Sequence, residues 1–289
     1  LLSSHNRGRL ICFGDLCIDI VARTPALETI ESDTTIEQLS IRVAGSAANC
    51  AIAAAAAGAQ VDVIGLVGND AFGGMIVEKL NAAGVGTTLI RHSERQTGVV
   101  ISQVRPNGER ALLSYRGANA QPYGALPEPL GAMADYVYLS GYSLQNEASA
   151  QTALALKRLA QRCLFDPTYL FARDFQVHHK QHLSGVHILT PNLEEAQLMT
   201  GQTAFADCAA ALRDLGIATV IVKLGPQGCY LHDSHCQQWI RTSPVTDRAD
   251  TTGAGDAFCG TLLAQCLQEV AMPKAAERAN EAARRIVCS

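Results

Sequence analysis

Short runs rich in Val, Ile, Leu and Tyr alternate with helical stretches along almost the whole chain, and each run is stopped by Gly, Asp or Pro. The strand candidates are RLICFGD, VDVIGLVG, YVYLSGY, the run around CLFDP, VHILTPN, TVIVKLG and CYLHD. Strands buried on both faces read as near-continuous apolar sequence, and parallel neighbours need a crossover, usually a helix. The pattern therefore predicts the α/β class, a central, mostly parallel, Rossmann-like sheet flanked by helices. With 289 residues, 48% of them hydrophobic and 17% charged, the chain can bury a large core, and one domain over 1–289 is expected.

The helices carry their own start and stop signals. Asp70 is placed to cap a helix whose Phe72, Ile76, Leu80 and Ala83 share one face before Gly84 ends it, and Leu193 to Thr200 ends likewise at Gly201. Asp256 is expected to open a third, with Phe258, Leu262 and Cys266 aligned at every fourth position. Two segments break the alternation. VVISQV and ALLSY flank Pro106-Asn107-Gly108, a reversal signal, so residues 96–117 read as a hairpin. Residues 21–41 are β-branched and polar without helical periodicity and are expected to pair with that hairpin, forming a small β lid on the α/β body.

A formal net charge of −4 gives no electrostatic footprint for nucleic acid or an anionic membrane, so any phosphate must be held by a local device. The longest apolar stretch, Val43 to Ala59, is mostly alanine, contains Ser46 and Asn49, and is shorter than the ~20 residues a membrane span needs. A buried helix accounts for it. Ten cysteines, at 12, 17, 50, 163, 208, 229, 236, 259, 266 and 288, lie mostly inside apolar runs and form no C-x-x-C. They read as small core residues in a reducing cytoplasm. The opening LLSSHNRGRLICFGD has no long apolar region followed by a cleavage site, so no signal peptide is expected.

The chemistry is concentrated in Asp250-Thr251-Thr252-Gly253-Ala254-Gly255-Asp256, followed at once by an amphipathic helix. Two glycines let the backbone turn tightly, so that successive N–H groups add to the positive end of the helix and make an anion hole. A carboxylate at the rim of such a hole repels bound phosphate; it makes sense there as a base that takes the proton of an attacking hydroxyl. Read alone, the same residues are equally a turn with an Asp N-cap. A second cluster, Ala44-Gly45-Ser46-Ala47-Ala48-Asn49, heads the alanine-rich helix. Its small residues admit a ligand close to the backbone, and Asn49 offers a donor and acceptors to hydroxyls, as a polyol site requires. A tightly packed helix with a buried, satisfied Asn would look the same.

In this order the motifs resemble those of the ribokinase family, also called the PfkB carbohydrate kinases, over nearly the whole chain. The resemblance implies a ribokinase-like body with a β lid, ATP and Mg²⁺ as cosubstrates and, in many members, a monovalent cation such as K⁺ near the nucleotide. Gly14-Asp15-Leu16-Cys17-Ile18-Asp19 is similar to the family's first strand and turn, which implies that Asp19 binds substrate hydroxyls, with Asp15 orienting the first loop beside it. Residues 44–49 resemble the first signature and place Gly45, Ser46 and Asn49 at the sugar. Gly117-Ala118-Asn119 matches the segment where the lid rejoins the body. Asn192-Leu193-Glu194-Glu195 fits an N-x-x-E motif, which implies Asn192 and Glu195 near Mg²⁺ and its waters. Residues 250–256 match the second signature, with Gly253, Ala254 and Gly255 as the anion hole and Asp256 as the catalytic base. Asp250 and Thr252 resemble half of a monovalent-cation site. On the nucleotide side, Lys223, Gly225 and Gly228 resemble the family's loop after a strand, Thr252 lies in the signature, and the helix around Asn280 resembles the adenine-side helix.

The implied activity is transfer of the γ-phosphoryl group of ATP to a hydroxyl of a small molecule. Ser46 stands where ribokinases proper carry lysine, Ala44 where they carry glycine, and Cys17 where asparagine is common. The acceptor therefore stays open among ribose or fructose, a keto-deoxy sugar acid and a nucleoside. Tyr115 and Arg116, just after the lid, would add contacts to an acidic or phosphorylated substrate, and Asp166-Pro167 ends a strand where open α/β sheets bind ligands. His178, His179 and His182 read as a helical metal set or, more simply, as a solvated helix. A monomer and a homodimer would leave the same traces. An NAD-dependent oxidoreductase would need G-x-G-x-x-G where FGDLCID stands, and no Walker A sequence is present. A non-catalytic sugar-binding protein on the same fold would not need a base beside a phosphate.

Overall fold

The computed structural model describes residues 8–24, 35–36, 38–105, 110–127, 130, 134–175, 180–243 and 251–288. Its body is a nine-stranded sheet in the order β13-β12-β11-β10-β9-β8-β1-β4-β5. These strands are β1 (Arg9–Phe13), β4 (Gln60–Gly68), β5 (Ile90–Ser93), β8 (Tyr136–Ser140), β9 (Arg162–Asp166), β10 (Ile188–Leu189), β11 (Thr219–Lys223), β12 (Cys229–His232) and β13 (Gln237–Ile240). From β11 to β5 every neighbouring pair is parallel; β12 and β13 add antiparallel at one edge. The expected α/β class and mostly parallel sheet are thus present. β5 and β13 have no counterpart among the sequence candidates, because IRHS and QQWI are short, polar and partly exposed.

Alternation along β1 shows how the body closes. Leu10 and Cys12 enter the core on one side, Ile11 and Phe13 the core on the other. The first side is covered by α1 (Ser46–Ala56), α2 (Ala71–Ala82) and, further along the chain, the helices Ala254–Leu267 and Met272–Val287. The second is covered by α3 (Glu147–Leu159), α4 (Leu193–Thr200) and α5 (Phe205–Arg213). We number the last two helices α6 (Ala254–Leu267) and α7 (Met272–Val287). Asp70 does cap α2, accepting from the Gly73 amide at 2.9 Å, and Gly201 ends α4 in the left-handed conformation at φ 72°.

A second sheet of four strands, β3-β2-β6-β7, lies beside the body. Its members are β2 (Cys17–Arg23), β3 (Gln38–Ala44), β6 (Gly98–Val104) and β7 (Arg110–Tyr115). The hairpin expected over 96–117 is β6 and β7, paired antiparallel from Val99↔Tyr115 to Val104↔Arg110; Pro106-Asn107-Gly108 lies outside the described residues. The partner strands extend beyond the expected 21–41. β2 begins at Cys17 and β3 runs to Ala44, because Asp19 pairs in register with Arg42 and a charged residue inside a strand is tolerated where its partner is of opposite sign. Asp19 therefore sits on the small sheet rather than on a turn of the body.

Asn119 fastens the two sheets. Its amide accepts from Leu16 N at 3.0 Å and donates to Leu16 O at 2.8 Å, replacing a strand neighbour for the residue that links β1 to β2. Asn119→Ala leaves both buried main-chain groups unpaired and should cost about 2 kcal/mol. Urea denaturation would show it as a lowered midpoint; an unchanged midpoint would mean that the junction is held by other contacts.

Candidate active site

Two helices that meet face to face carry the central residues. The α1–α6 contact closes on Gly260 of α6, where an added Cβ would lie 2.1 Å from the Cys50 carbonyl oxygen and 3.0 Å from the Ala54 amide of α1. This close approach brings Asn49 of α1 to Asp256 of α6: Asn49 Nδ2 donates to Asp256 Oδ2 at 2.9 Å. Tyr138, from the buried strand β8, points its hydroxyl at Asp256 Oδ1 at 3.5 Å. The carboxylate is thus held from two sides.

The helix start differs from the expected one by two residues. α6 begins at Ala254 with Gly253 as N-cap in the left-handed conformation (φ 81°), so Asp256 stands in the first turn and does not cap the helix. Its oxygens face Asn49 and Tyr138, not the helix amides, and no side chain caps the turn. At Gly253 a side chain would be strained and would also crowd Asn49 Nδ2, 3.2 Å from the Cβ position. The Ala254 amide donates to the Thr251 carbonyl at 3.2 Å, no side chain caps the turn, and the positive end of the helix lies at Gly253–Asp256.

Burial pushes the Asp256 carboxyl up to about 7; the hydrogen bond from Asn49 opposes this, the nearby Asp166 adds to it and Lys223 counters it. The side chain nonetheless keeps partial exposure. Such a group changes protonation near neutral pH, as a base that must accept and release a proton requires.

Cys17 lies in the negative field of Asp19, Asp15 and Asp256. Its thiol is driven well above the ordinary range, first by burial and then by these three carboxylates. Asp19 is buried on β2 with the Arg42 guanidinium 3.7 Å away. Asp15 bonds Arg116 at 2.9 Å, and burial raises its carboxyl to about 6 against the pull of that arginine. Arg116 in turn lies 5.8 Å from the Tyr142 ring centre, and Tyr142 senses Asp15, Asp256 and Glu195 together. Gly45, at φ 104°, is the one residue type that fits at the head of α1, since a Cβ there would lie 2.3 Å from the Asp15 carbonyl oxygen. Ser46 Oγ is buried beside Gly14 and has no hydrogen-bond partner.

Lys223, at the end of β11, does not face solvent. Its ammonium bonds Asp166 Oδ1 at 2.6 Å and lies 3.3 Å from the Cβ position of Gly255, which puts it at the α6 turn. Asn192 and Glu195 form a reciprocal capping box at the start of α4: Asn192 Oδ1 accepts from Glu195 N at 2.9 Å, and Glu195 Oε2 accepts from Asn192 N at 2.8 Å. Burial raises the Glu195 carboxyl to about 7, with Lys223 pulling it down and Asp166 pushing it up, so this carboxylate belongs to the same electrostatic cluster.

Gly225 (φ 57°) opens the turn after β11, and at Gly228 a Cβ would lie 2.1 Å from the Ile240 carbonyl oxygen. Asn280 donates to that same oxygen at 3.0 Å. These three lie together at the β12–β13 edge, and the Asn280 amide ties α7 to β13. Thr252 adjoins Gly253, whereas Asp250 is outside the described residues. So are His178 and His179, and no group of three metal-ligating side chains occurs among the described residues. Tyr138 and Tyr142 escaped the sequence reading. The available signal was weak: a buried Tyr in a central strand needs a partner for its hydroxyl.

Comparison with known proteins bears on the family and the fold. The family model described as "pfkB family carbohydrate kinase" matches residues 7–289. The chain is 28% identical to a ribokinase of Haemophilus influenzae over 284 residues, covering 93% of this chain and 89% of the relative. It is 30% identical to a 2-dehydro-3-deoxygluconokinase of Thermoproteus tenax over 241 residues, 79% of this chain and 74% of that protein. The structure of an Arabidopsis thaliana ribokinase complexed with ribose and ATP superposes with a TM-score of 0.82 at 24% identity, covering 98% of this chain and 93% of that one. Among the described residues no helix is long and apolar enough to cross a membrane. With the family model matched over nearly the whole length and the fold shared, the chain belongs to the pfkB family of carbohydrate kinases.

Proposed function

We propose that the chain transfers the γ-phosphoryl group of ATP to a hydroxyl of a ribose-, fructose- or keto-deoxy-sugar-acid-type carbohydrate, with Asp256 as general base. The observation that carries this reading is the Asp256 carboxylate, held by Asn49 and Tyr138 in the first turn of a helix that no side chain caps. Asp256 takes the proton of the attacking hydroxyl while the new O–P bond forms and the bond to the departing ADP oxygen breaks. The amides of Gly253, Gly255 and Asp256, together with Lys223, offset charge on the transferred group, and Ala254, whose amide donates to the Thr251 carbonyl, shapes the turn that presents them. Asp19 and Asn49 address the acceptor's other hydroxyls, and the unpartnered Ser46 hydroxyl supports a polar contact at the same end.

Oxygen donors suit Mg²⁺, and one buried carboxylate suits an ion that keeps most of its waters. Glu195, with Asn192 beside it, would hold that ion through water, where it would neutralise phosphate charge. Lys223, Gly225, Gly228, Thr252 and Asn280 are assigned to the ATP side, and Asp250 with Thr252 to K⁺. The small sheet serves as the lid that excludes water. Its residues Asp19 and Arg42 lie on the β2–β3 pair, and Arg116 follows β7. The free, mostly buried thiols fit a cytoplasmic enzyme, and a monomer and a homodimer are both compatible with this reading.

An ADP-release assay over free sugars, sugar acids and nucleosides tests the reading. Turnover with a free sugar or sugar acid supports it. Turnover confined to nucleosides would move the chain to the nucleoside kinases of the family, and none with any acceptor would leave a sugar-binding protein.

A further inference from the structure

Three neighbouring strands deliver their last residues to the α6 turn. Asp166 closes β9, Thr190 follows β10 and Lys223 closes β11. The Lys223 ammonium reaches across β10 to Asp166 Oδ1 at 2.6 Å, and the Thr190 hydroxyl donates to the same oxygen at 2.9 Å. The two charged side chains keep only 15% and 12% of their surface. On its other flank the ammonium abuts Gly255, 3.3 Å from the Cβ position, so a side chain there would crowd it.

Stability does not explain this arrangement. A cation at the N-terminal end of a helix is opposed by the helix dipole, and a buried ion pair contributes little compared with apolar residues of the same volume. A phosphoryl group at the turn would reverse the first of these terms, because the lysine and the dipole would then act on the same anion. Burial works against the charge on Lys223, and the carboxylate of Asp166 more than offsets it, so the ammonium is kept. Toward Asp256 the two members of the pair oppose each other, since Asp166 raises the proton affinity of that base while Lys223 lowers it.

We propose that Asp166 is a positioning residue for phosphoryl transfer: it holds the Lys223 ammonium against Gly255, so that an oriented cation is already in place beside the Asp256 base. This rests on the kinase reading above and adds to it the residue that sets where the charge sits. Asp166 acts through Lys223 and needs no contact with the substrate. Thr190 fixes the carboxylate oxygen that does the holding.

Steady-state kinetics, with melting curves to confirm folding, test the proposal on Asp166→Asn, Lys223→Met and the double variant. Asp166→Asn should lower kcat about 10- to 100-fold, as small misplacements of catalytic groups do, with the KM of the acceptor sugar little changed. The double variant should be no slower than Lys223→Met alone, because the positioning role of Asp166 ends once the lysine is gone. A wild-type kcat in Asp166→Asn would overturn the proposal; so would single losses that multiply in the double variant. If Asp166→Asn does not fold, Lys223→Arg decides: it keeps the charge pair but moves the cation, and should lose kcat without loss of melting temperature. Wild-type kcat in Lys223→Arg would count against the proposal. Wild-type protein inactive on every acceptor would instead sink the kinase reading, and this inference with it.

Discussion

Asp256→Asn should bind nucleotide and sugar almost as the wild type does and turn over about a thousandfold more slowly, the scale expected for loss of a positioned base. The substitution keeps shape and removes only the charge and the proton-accepting capacity, so binding by calorimetry and turnover by ADP release should part company. Substantial residual transfer would show that another group takes the proton. Because burial raises the carboxyl to about 7, wild-type kcat/KM should climb as pH rises through that value and the base loses its proton.

The same burial makes a thermodynamic prediction of opposite sense. The unfolded carboxyl titrates near its ordinary 3.8, so between there and about 7 the folded protein binds the proton more tightly. This contribution to stability is full at low pH and is lost as pH rises through 7. The Asn variant carries no such loss. At pH 8 it should be more stable than wild type, on the order of 2 kcal/mol, with the difference shrinking toward pH 4. Melting curves of both proteins at the two pH values measure this, and a pH-independent difference would mean the carboxylate is better solvated than the structure has it. Function and stability are then opposed at one atom group, as expected where a charge is needed away from water.

Gly260→Val should damage both fold and chemistry. An added Cβ at 260 would lie 2.1 Å from the Cys50 carbonyl oxygen and 3.0 Å from the Ala54 amide, both main-chain atoms that cannot swing aside. α1 and α6 must separate, and overpacking of this kind costs about 1–3 kcal/mol. Separation also pulls Asn49 from Asp256, since these helices carry the two partners of the 2.9 Å bond. Turnover should therefore fall at least about tenfold even in the folded fraction. Thermal melting and kinetics at a permissive temperature would report the two losses separately. Full activity per folded molecule would show that the Asn49 contact is dispensable.

Much of this molecule could be read before any coordinates. The parallel body follows from apolar runs separated by helical crossovers, and Asp70, Gly201 and the hairpin over 96–117 are local signals that act over a few residues. Tight glycine turns and small-residue helix starts are likewise local, which is why Gly45, Asn49, Gly253 and Asp256 stood out together. Strand bounds around Asp19 were misread because its ion partner, Arg42, belongs to a different strand. Lys223 at a strand end carries no mark that distinguishes a solvated lysine from a buried one.

What the amino-acid order alone determined is the set of chemical groups and the elements that bear them. Tertiary structure alone decided which groups meet: Asn49 with Asp256 across 207 residues, Tyr138 with Asp256 across 118, and Lys223 with Asp166 across 57. The reason is physical. Propensity, capping and periodicity are written within one or two turns of chain, whereas proton affinity and charge placement depend on what burial brings near and how much water it removes.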